Sequence, residues 1–140
     1  MVPSRRYYAA GDTVVCVPAD ASYFAVELRA SLPGMKEGRG CSADRVGLTD
    51  GAGQWAMLCG FNSDYGSELD RRGLRLVYGH TDVGGRTVAI DSVDVYDDVN
   101  TMRGFNTLAL EWSRTESGAR LDMFVGSKQP RLVMSVAAPM

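Results

Sequence analysis

Apolar residues recur at every second position through most of the chain. From Tyr23 to Leu32, Phe24, Val26, Leu28, Ala30 and Leu32 share one face while Glu27, Arg29 and Ser31 share the other. That is the period of a half-buried strand. Phe24, Leu28 and Leu32 are also four apart, so a short helix stopped by Pro33 competes; the strand is favoured because its surroundings are strand-like. Trp55, Met57, Cys59 and Phe61 alternate, as do Leu74, Leu76 and Tyr78, then Leu108, Leu110 and Trp112. Leu121, Met123 and Val125 do the same, followed by Leu132, Met134 and Val136. Shorter pieces are Val15 and Val17, Val46 and Leu48, Val88 and Ile90, and Val93 and Val95. The phase slips between Ile90 and Val93, which predicts a bulge or bend near Asp91-Ser92.

Turn chemistry separates these segments. Asp50-Gly51-Ala52-Gly53, Val83-Gly84-Gly85 and Glu116-Ser117-Gly118 each suit a hairpin. Pro33-Gly34 opens an exposed loop to Gly40, and Asn62-Ser63-Asp64-Tyr65-Gly66 begins another that runs to Gly73 with room for a helical turn. About ten short strands with no long helix predict an all-β fold, an antiparallel β-sandwich or barrel. With 140 residues, 45% apolar, and no linker or repeat, residues 1–140 are read as a single domain.

Charge excludes some partners. The net charge of -2 offers no basic excess for nucleic acid. No apolar run approaches the ~18–20 residues that span a bilayer as a helix. Arginine outnumbers lysine 13 to 2, and its planar fork suits anionic or planar ligands, although genome base composition is the favoured explanation of the bias. Met1-Val2-Pro3-Ser4-Arg5-Arg6 lacks the apolar stretch of a secretory signal, and a leader removed beforehand would leave the same start. Cys16, Cys41 and Cys59 contain no CxxC pair, and His80 is the one histidine, which argues against a zinc site of usual spacing. One disulfide plus a free thiol suits an exported protein; three buried or half-buried free thiols are slightly preferred, because Cys16 and Cys59 lie in apolar runs.

The last third carries a resemblance. Gly104-Phe105-Asn106-Thr107-Leu108-Ala109-Leu110-Glu111-Trp112, a polar turn, and Ala119-Arg120-Leu121-Asp122-Met123-Phe124-Val125-Gly126 resemble a late hairpin of concanavalin A-like jelly rolls. That superfamily includes laminin G-like and 3-keto-disaccharide hydrolase-type domains. Leu132 to Val136 would be the next strand, and the Tyr23–Leu32 and Val46–Phe61 segments resemble earlier ones. The resemblance implies a jelly-roll β-sandwich that binds or cleaves glycans, or that contacts protein partners.

Catalytic constellations are thin. Retaining glycan hydrolysis needs two carboxylates ~5–5.5 Å apart, and jelly-roll glycanases supply them from a Glu-x-Asp-x-x-Glu strand. The one Glu-x-Asp here, Glu68-Leu69-Asp70, continues as Arg71-Arg72-Gly73 with no second Glu. His80, in Gly79-His80-Thr81-Asp82, reads as an exposed turn residue, and neither a Gly-x-Ser-x-Gly nor a phosphate loop is present. Asp97, Asp98 and Asn100, with Asp94 upstream, are weak calcium candidates, since calcium takes several oxygen ligands; a solvated acidic turn is the expectation. Trp55 and Trp112 alternate with apolar neighbours and are assigned to the core. Tyr65 and Tyr96, in or beside polar loops, are the candidates for stacking on sugar rings. Arg71, Arg72 and Arg103 are candidate donors to hydroxyls or carboxylates.

The sequence therefore predicts a non-catalytic, lectin-like, carbohydrate-binding module with an oligosaccharide partner and no required cofactor, exported or at the cell envelope. The alternatives are a 3-keto-disaccharide hydrolase-type enzyme and a structural or adhesive sandwich.

Overall fold

Alternation is realised as strands throughout. The structure, a computed structural model, describes residues 4–9, 13–18, 20–33, 40–49, 53–63, 71–102 and 104–138. The strands are β1 (Ser4–Ala9), β2 (Thr13–Pro18), β3 (Tyr23–Ala30), β4 (Gly40–Thr49), β5 (Gln54–Asn62), β6 (Arg72–Thr81), β7 (Thr87–Val95), β8 (Asn106–Thr115), β9 (Gly118–Gly126) and β10 (Arg131–Ala138). No helix occurs among the described residues, so none is long and apolar enough to cross a membrane. The strand reading of Tyr23 onward holds: Phe24 is buried, and the residues between it and Ala30 alternate between half-buried and exposed.

Two antiparallel sheets result. One has six strands in the order β2-β1-β4-β5-β6-β7, the other four in the order β10-β9-β8-β3. Their facing sides supply one hydrophobic cluster: Leu48, Ala56, Leu58, Leu74, Leu76 and Tyr78 from the six-stranded sheet meet Leu108, Leu110, Trp112, Leu121, Met123 and Val125 from the four-stranded sheet. Trp112 is 1% exposed and stacks on Phe24 with ring centroids 5.3 Å apart. A fully buried leucine contributes about 1.5–3 kcal/mol, so this layer dominates the stability of the sandwich. Tyr78 reaches across its own sheet to donate its hydroxyl proton to the buried Gln54 side-chain oxygen.

Two sequence expectations need adjustment. Val88–Ile90 and Val93–Val95 belong to one strand, β7, because the register steps from Tyr78↔Asp91 to Gly79↔Ala89 and leaves Ile90 unmatched. The phase slip was real, but the bulge sits one residue earlier than expected. The strand β1 had no clear apolar alternation to reveal it; it is held between β2 and β4.

Turns and clamps fix the ends of the strands that matter below. The β6–β7 turn is closed by Asp82, whose side-chain oxygen accepts the Gly84 and Arg86 N–H groups, each at 2.9 Å. Gly85 there has φ 79, a conformation that favours glycine. The segment after β7 is tied to β8 by buried Asn106, which accepts the Asn100 N–H at 2.7 Å and donates to the Asn100 carbonyl at 2.9 Å. Residues 34–39, 50–52 and 64–70 lie outside the described residues.

Candidate functional site

The outer side of the six-stranded sheet is where the structure departs most from the sequence reading. Register places side chains there in rows across β4, β5, β6 and β7: Arg45–Cys59–Arg75–Asp94, then Gly47–Met57–Val77–Ser92, then Thr49–Trp55–Gly79–Ala89. Trp55 is therefore not in the core. Its strand is apolar on both sides, with Ala56 and Leu58 turned inward and Trp55, Met57, Cys59 and Phe61 turned outward. Alternation gives the phase of such a strand but not which side faces the partner sheet.

Glycines let two aromatic rings lie down on this face. The benzo edge of Trp55 fills the space a side chain at Gly79 would need, its Cη2 lying 2.6 Å from where a Cβ would stand. Tyr96 lies over Gly73 in the same way, with Cδ1 2.7 Å from the corresponding position. The two rings differ in what covers them. The Arg71 guanidinium sits 3.8 Å from the Tyr96 centroid, and Arg75 sits 3.6 Å from the Phe61 centroid. A ligand stacking on Tyr96 must first displace Arg71, at a cost of roughly 0.5–1 kcal/mol for an exposed cation–π contact. No cation–π contact covers Trp55 among the described residues. Its Nε1 is buried and has no hydrogen-bond partner among the described residues, and the ring packs against Gly79.

Two recesses open beside these rings. A groove of ≈ 350 Å³ runs over the sheet face, floored by Trp55, Met57, Val77 and Ala89, with Arg45, Arg75 and Thr87 as its polar side chains. A cleft of ≈ 300 Å³ lies where β7 approaches β10, lined by Arg71, Tyr96, Asp94, Asp97, Arg131 and Leu132. Arg75 and Asp94 form the wall between them. Their bidentate pair, Nε to Oδ1 at 2.6 Å and Nη2 to Oδ2 at 3.0 Å, pushes the Arg75 pKa up from its already high value, chiefly through the hydrogen bond to Asp94. Arg45 is exposed and pairs with no carboxylate among the described residues.

The groove also contains a disulfide. Cys41 and Cys59 are bonded, with Cα atoms 5.8 Å apart and a sequence separation of 18. The expectation of three free thiols is thus corrected. Cys41 lies opposite Phe61, and the register shift between Cys41 and Arg45 brings it diagonally against Cys59, a proximity that sequence spacing does not disclose.

The sequence candidates distribute unevenly. Tyr96 and Arg71 come together in the cleft; Arg72 opens β6 opposite Asn62 and alternates to the other side of the sheet from Gly73. Tyr65 and Arg103 lie outside the described residues, as do Glu68 and Asp70. His80 is exposed near the end of β6, opposite Val88. Asp97 is exposed. The Asp98 carboxylate is engaged by the β9–β10 turn, accepting from the Ser127 hydroxyl at 3.0 Å and the Lys128 and Gln129 N–H groups at 3.3 and 3.0 Å. These contacts, the Gln129 bond first, hold its pKa below the ordinary carboxylate value. Asn100 spends its side-chain oxygen on the Met102 N–H at 3.1 Å. Among the described residues, no three His, Cys, Asp or Glu side chains gather as a metal site.

Sequence reasoning missed Trp55, Arg45 and Arg75. The available signal was the double-sided apolar character of residues 54–62 together with Gly47, Gly73 and Gly79 on flanking segments. No protein-family model, curated protein or solved structure matches this chain.

Proposed function

We propose that this chain is a non-catalytic carbohydrate-binding sandwich, lectin-like in its action and concanavalin A-like in its ancestry, working outside the cytoplasm. The observation that carries the reading is Trp55, laid against Gly79 at the floor of an open groove. Sugar rings present C–H faces that pack on a flat indole and hydroxyls that reach outward to donors at the rim. Arg45, Arg75 and Thr87 stand where such donors are needed. The groove volume falls within the range of small-ligand sites, roughly 300–1,000 Å³. The cleft at Tyr96 and Arg71 is the second subsite in this reading, one that opens when Arg71 swings away. Export is supported by the Cys41–Cys59 bond, since disulfides persist in oxidising compartments. The reading needs no metal.

Thermal-shift measurements against an oligosaccharide panel test it. Saturating glycan at about a hundredfold over Kd adds roughly 2.7 kcal/mol, or about 5–10 °C at ~2–4 °C per kcal/mol. At least one glycan is expected to raise the melting temperature of the native chain and not that of Trp55→Ala. A panel without any stabilising glycan, or an equal response from Trp55→Ala, contradicts the proposal. The protein-contact alternative draws on one observation: Val88 and Ile90, 40% and 57% exposed on the edge strand β7, where a partner strand could add.

A further inference from the structure

We infer that the groove selects an anionic saccharide, one carrying a carboxylate or sulfate group, over a neutral one; this rests on the glycan reading above. The groove's polar side chains are the two guanidinium groups and the Thr87 hydroxyl, and no carboxylate lines it among the described residues. Asp94, the nearest acid in the rows, gives both oxygens to Arg75. Arg75 is thereby neutralised as a charge, while Arg45 pairs with no carboxylate among the described residues. The wall is rich in donors and poor in acceptors. A neutral sugar hydroxyl arrives with a proton of its own to place, and a donor-rich wall leaves it unplaced; an anionic oxygen has only acceptor capacity to offer.

The geometry makes Arg45 the anion's principal partner. Arg45 and Arg75 flank Cys59 from the adjacent strands β4 and β6, so their backbones stand about 10 Å apart, two strand spacings. Arg75 is held toward β7 by Asp94, so Arg45 is the guanidinium that reaches over this row, where it can engage a carboxylate or sulfate with two parallel hydrogen bonds. Trp55 lies four residues along β5 from Cys59, about 13 Å of strand. That separation suits a saccharide of two or more units, with the charged unit over Cys59 and a neighbour on the indole.

Calorimetric titration at low salt separates the possibilities. The probes are trigalacturonate, its methyl-esterified neutral counterpart, a sulfated disaccharide and inorganic sulfate, each against the native chain, Arg45→Gln and Trp55→Ala. One charged saccharide is expected to bind at least about tenfold more tightly than the neutral form, the value of one charge-assisted hydrogen bond. Arg45→Gln is expected to remove that preference and Trp55→Ala to weaken charged and neutral forms alike. Equal affinity for charged and neutral forms overturns the inference and leaves the glycan reading standing. Inorganic sulfate binding as tightly as the sulfated disaccharide overturns the saccharide part. An unchanged preference in Arg45→Gln, with an unchanged melting temperature, removes Arg45 from the site. No saccharide binding at all overturns the inference and the glycan reading together.

Discussion

Replacing Gly79 with alanine probes the shelf on which the proposed site depends. The added Cβ would stand 2.6 Å from Trp55 Cη2, and closer still to Trp55 Cζ2 and the Val88 carbonyl oxygen. Carbon atoms pack at about 3.5–4.0 Å, so something must move by about 1 Å. The Val88 oxygen belongs to the backbone of β7 and is held by the sheet; the indole has room toward the groove. Overpacking of this kind costs about 1–3 kcal/mol, which at ~2–4 °C per kcal/mol lowers the melting temperature by about 2–12 °C. Iodide quenching reads the ring's displacement directly. Trp112 is 1% exposed and contributes little to quenching, so Gly79→Ala is expected to quench more readily than the native chain. In a Trp55→Ala background the same change should cost less, because only the Val88 conflict remains. A Gly79→Ala protein with native melting temperature and native quenching would refute the placement of Trp55 on this glycine.

Other expectations follow from the contacts of the turn segments and the disulfide. Unfolded without reductant, the protein should expose one reactive thiol, and after reduction three; Cys41→Ser with Cys59→Ser should lower stability by about 3 kcal/mol, the loop-closure value for a ring of this length, and a count of three thiols without reductant would contradict the bond. Asp98, with its folded pKa depressed, stabilises the fold above its unfolded value near ~3.9 and loses that contribution as pH falls through the lower folded value. The gap in melting temperature between native chain and Asp98→Asn should accordingly be widest above the unfolded value and close as pH falls through the lower folded value; a gap that persists in acid would show that the carboxylate's charge is not the cause. Melting curves in millimolar calcium and in chelator are expected to overlay, since Asp98 and Asn100 already spend their oxygens on backbone N–H groups; a separation abolished by Asp98→Ala would establish a calcium site there.

The sandwich was legible because one face of most strands is apolar and the other is not. β6, β8 and β9 bury Leu74, Leu76 and Tyr78, Leu108, Leu110 and Trp112, and Leu121, Met123 and Val125, the residues that alternation marks. Strand β5 defeated the same reasoning. Both its faces are apolar, so a period of two is satisfied whichever side turns inward, and Trp55 was assigned to the core. The site shares this cause. Its floor depends on Gly79 opposite Trp55, a pairing set by register, and register is a long-range property of β5 against β6. The Cys41–Cys59 bond depends on a register shift within the β4–β5 pair and is likewise invisible in an 18-residue spacing. Tyr96 was found from its loop position, but the Arg71 cover that closes its upper face is a tertiary contact.

The most direct measurement is nuclear magnetic resonance of the indole N–H signals during an oligosaccharide titration. The chain has 2 tryptophans, one on the groove floor and one between the sheets, so each signal reports one location. A bound saccharide is predicted to shift the Trp55 signal progressively to saturation while the Trp112 signal stays in place. Binding that leaves the Trp55 signal unmoved would contradict a sugar site on the outer face of the six-stranded sheet.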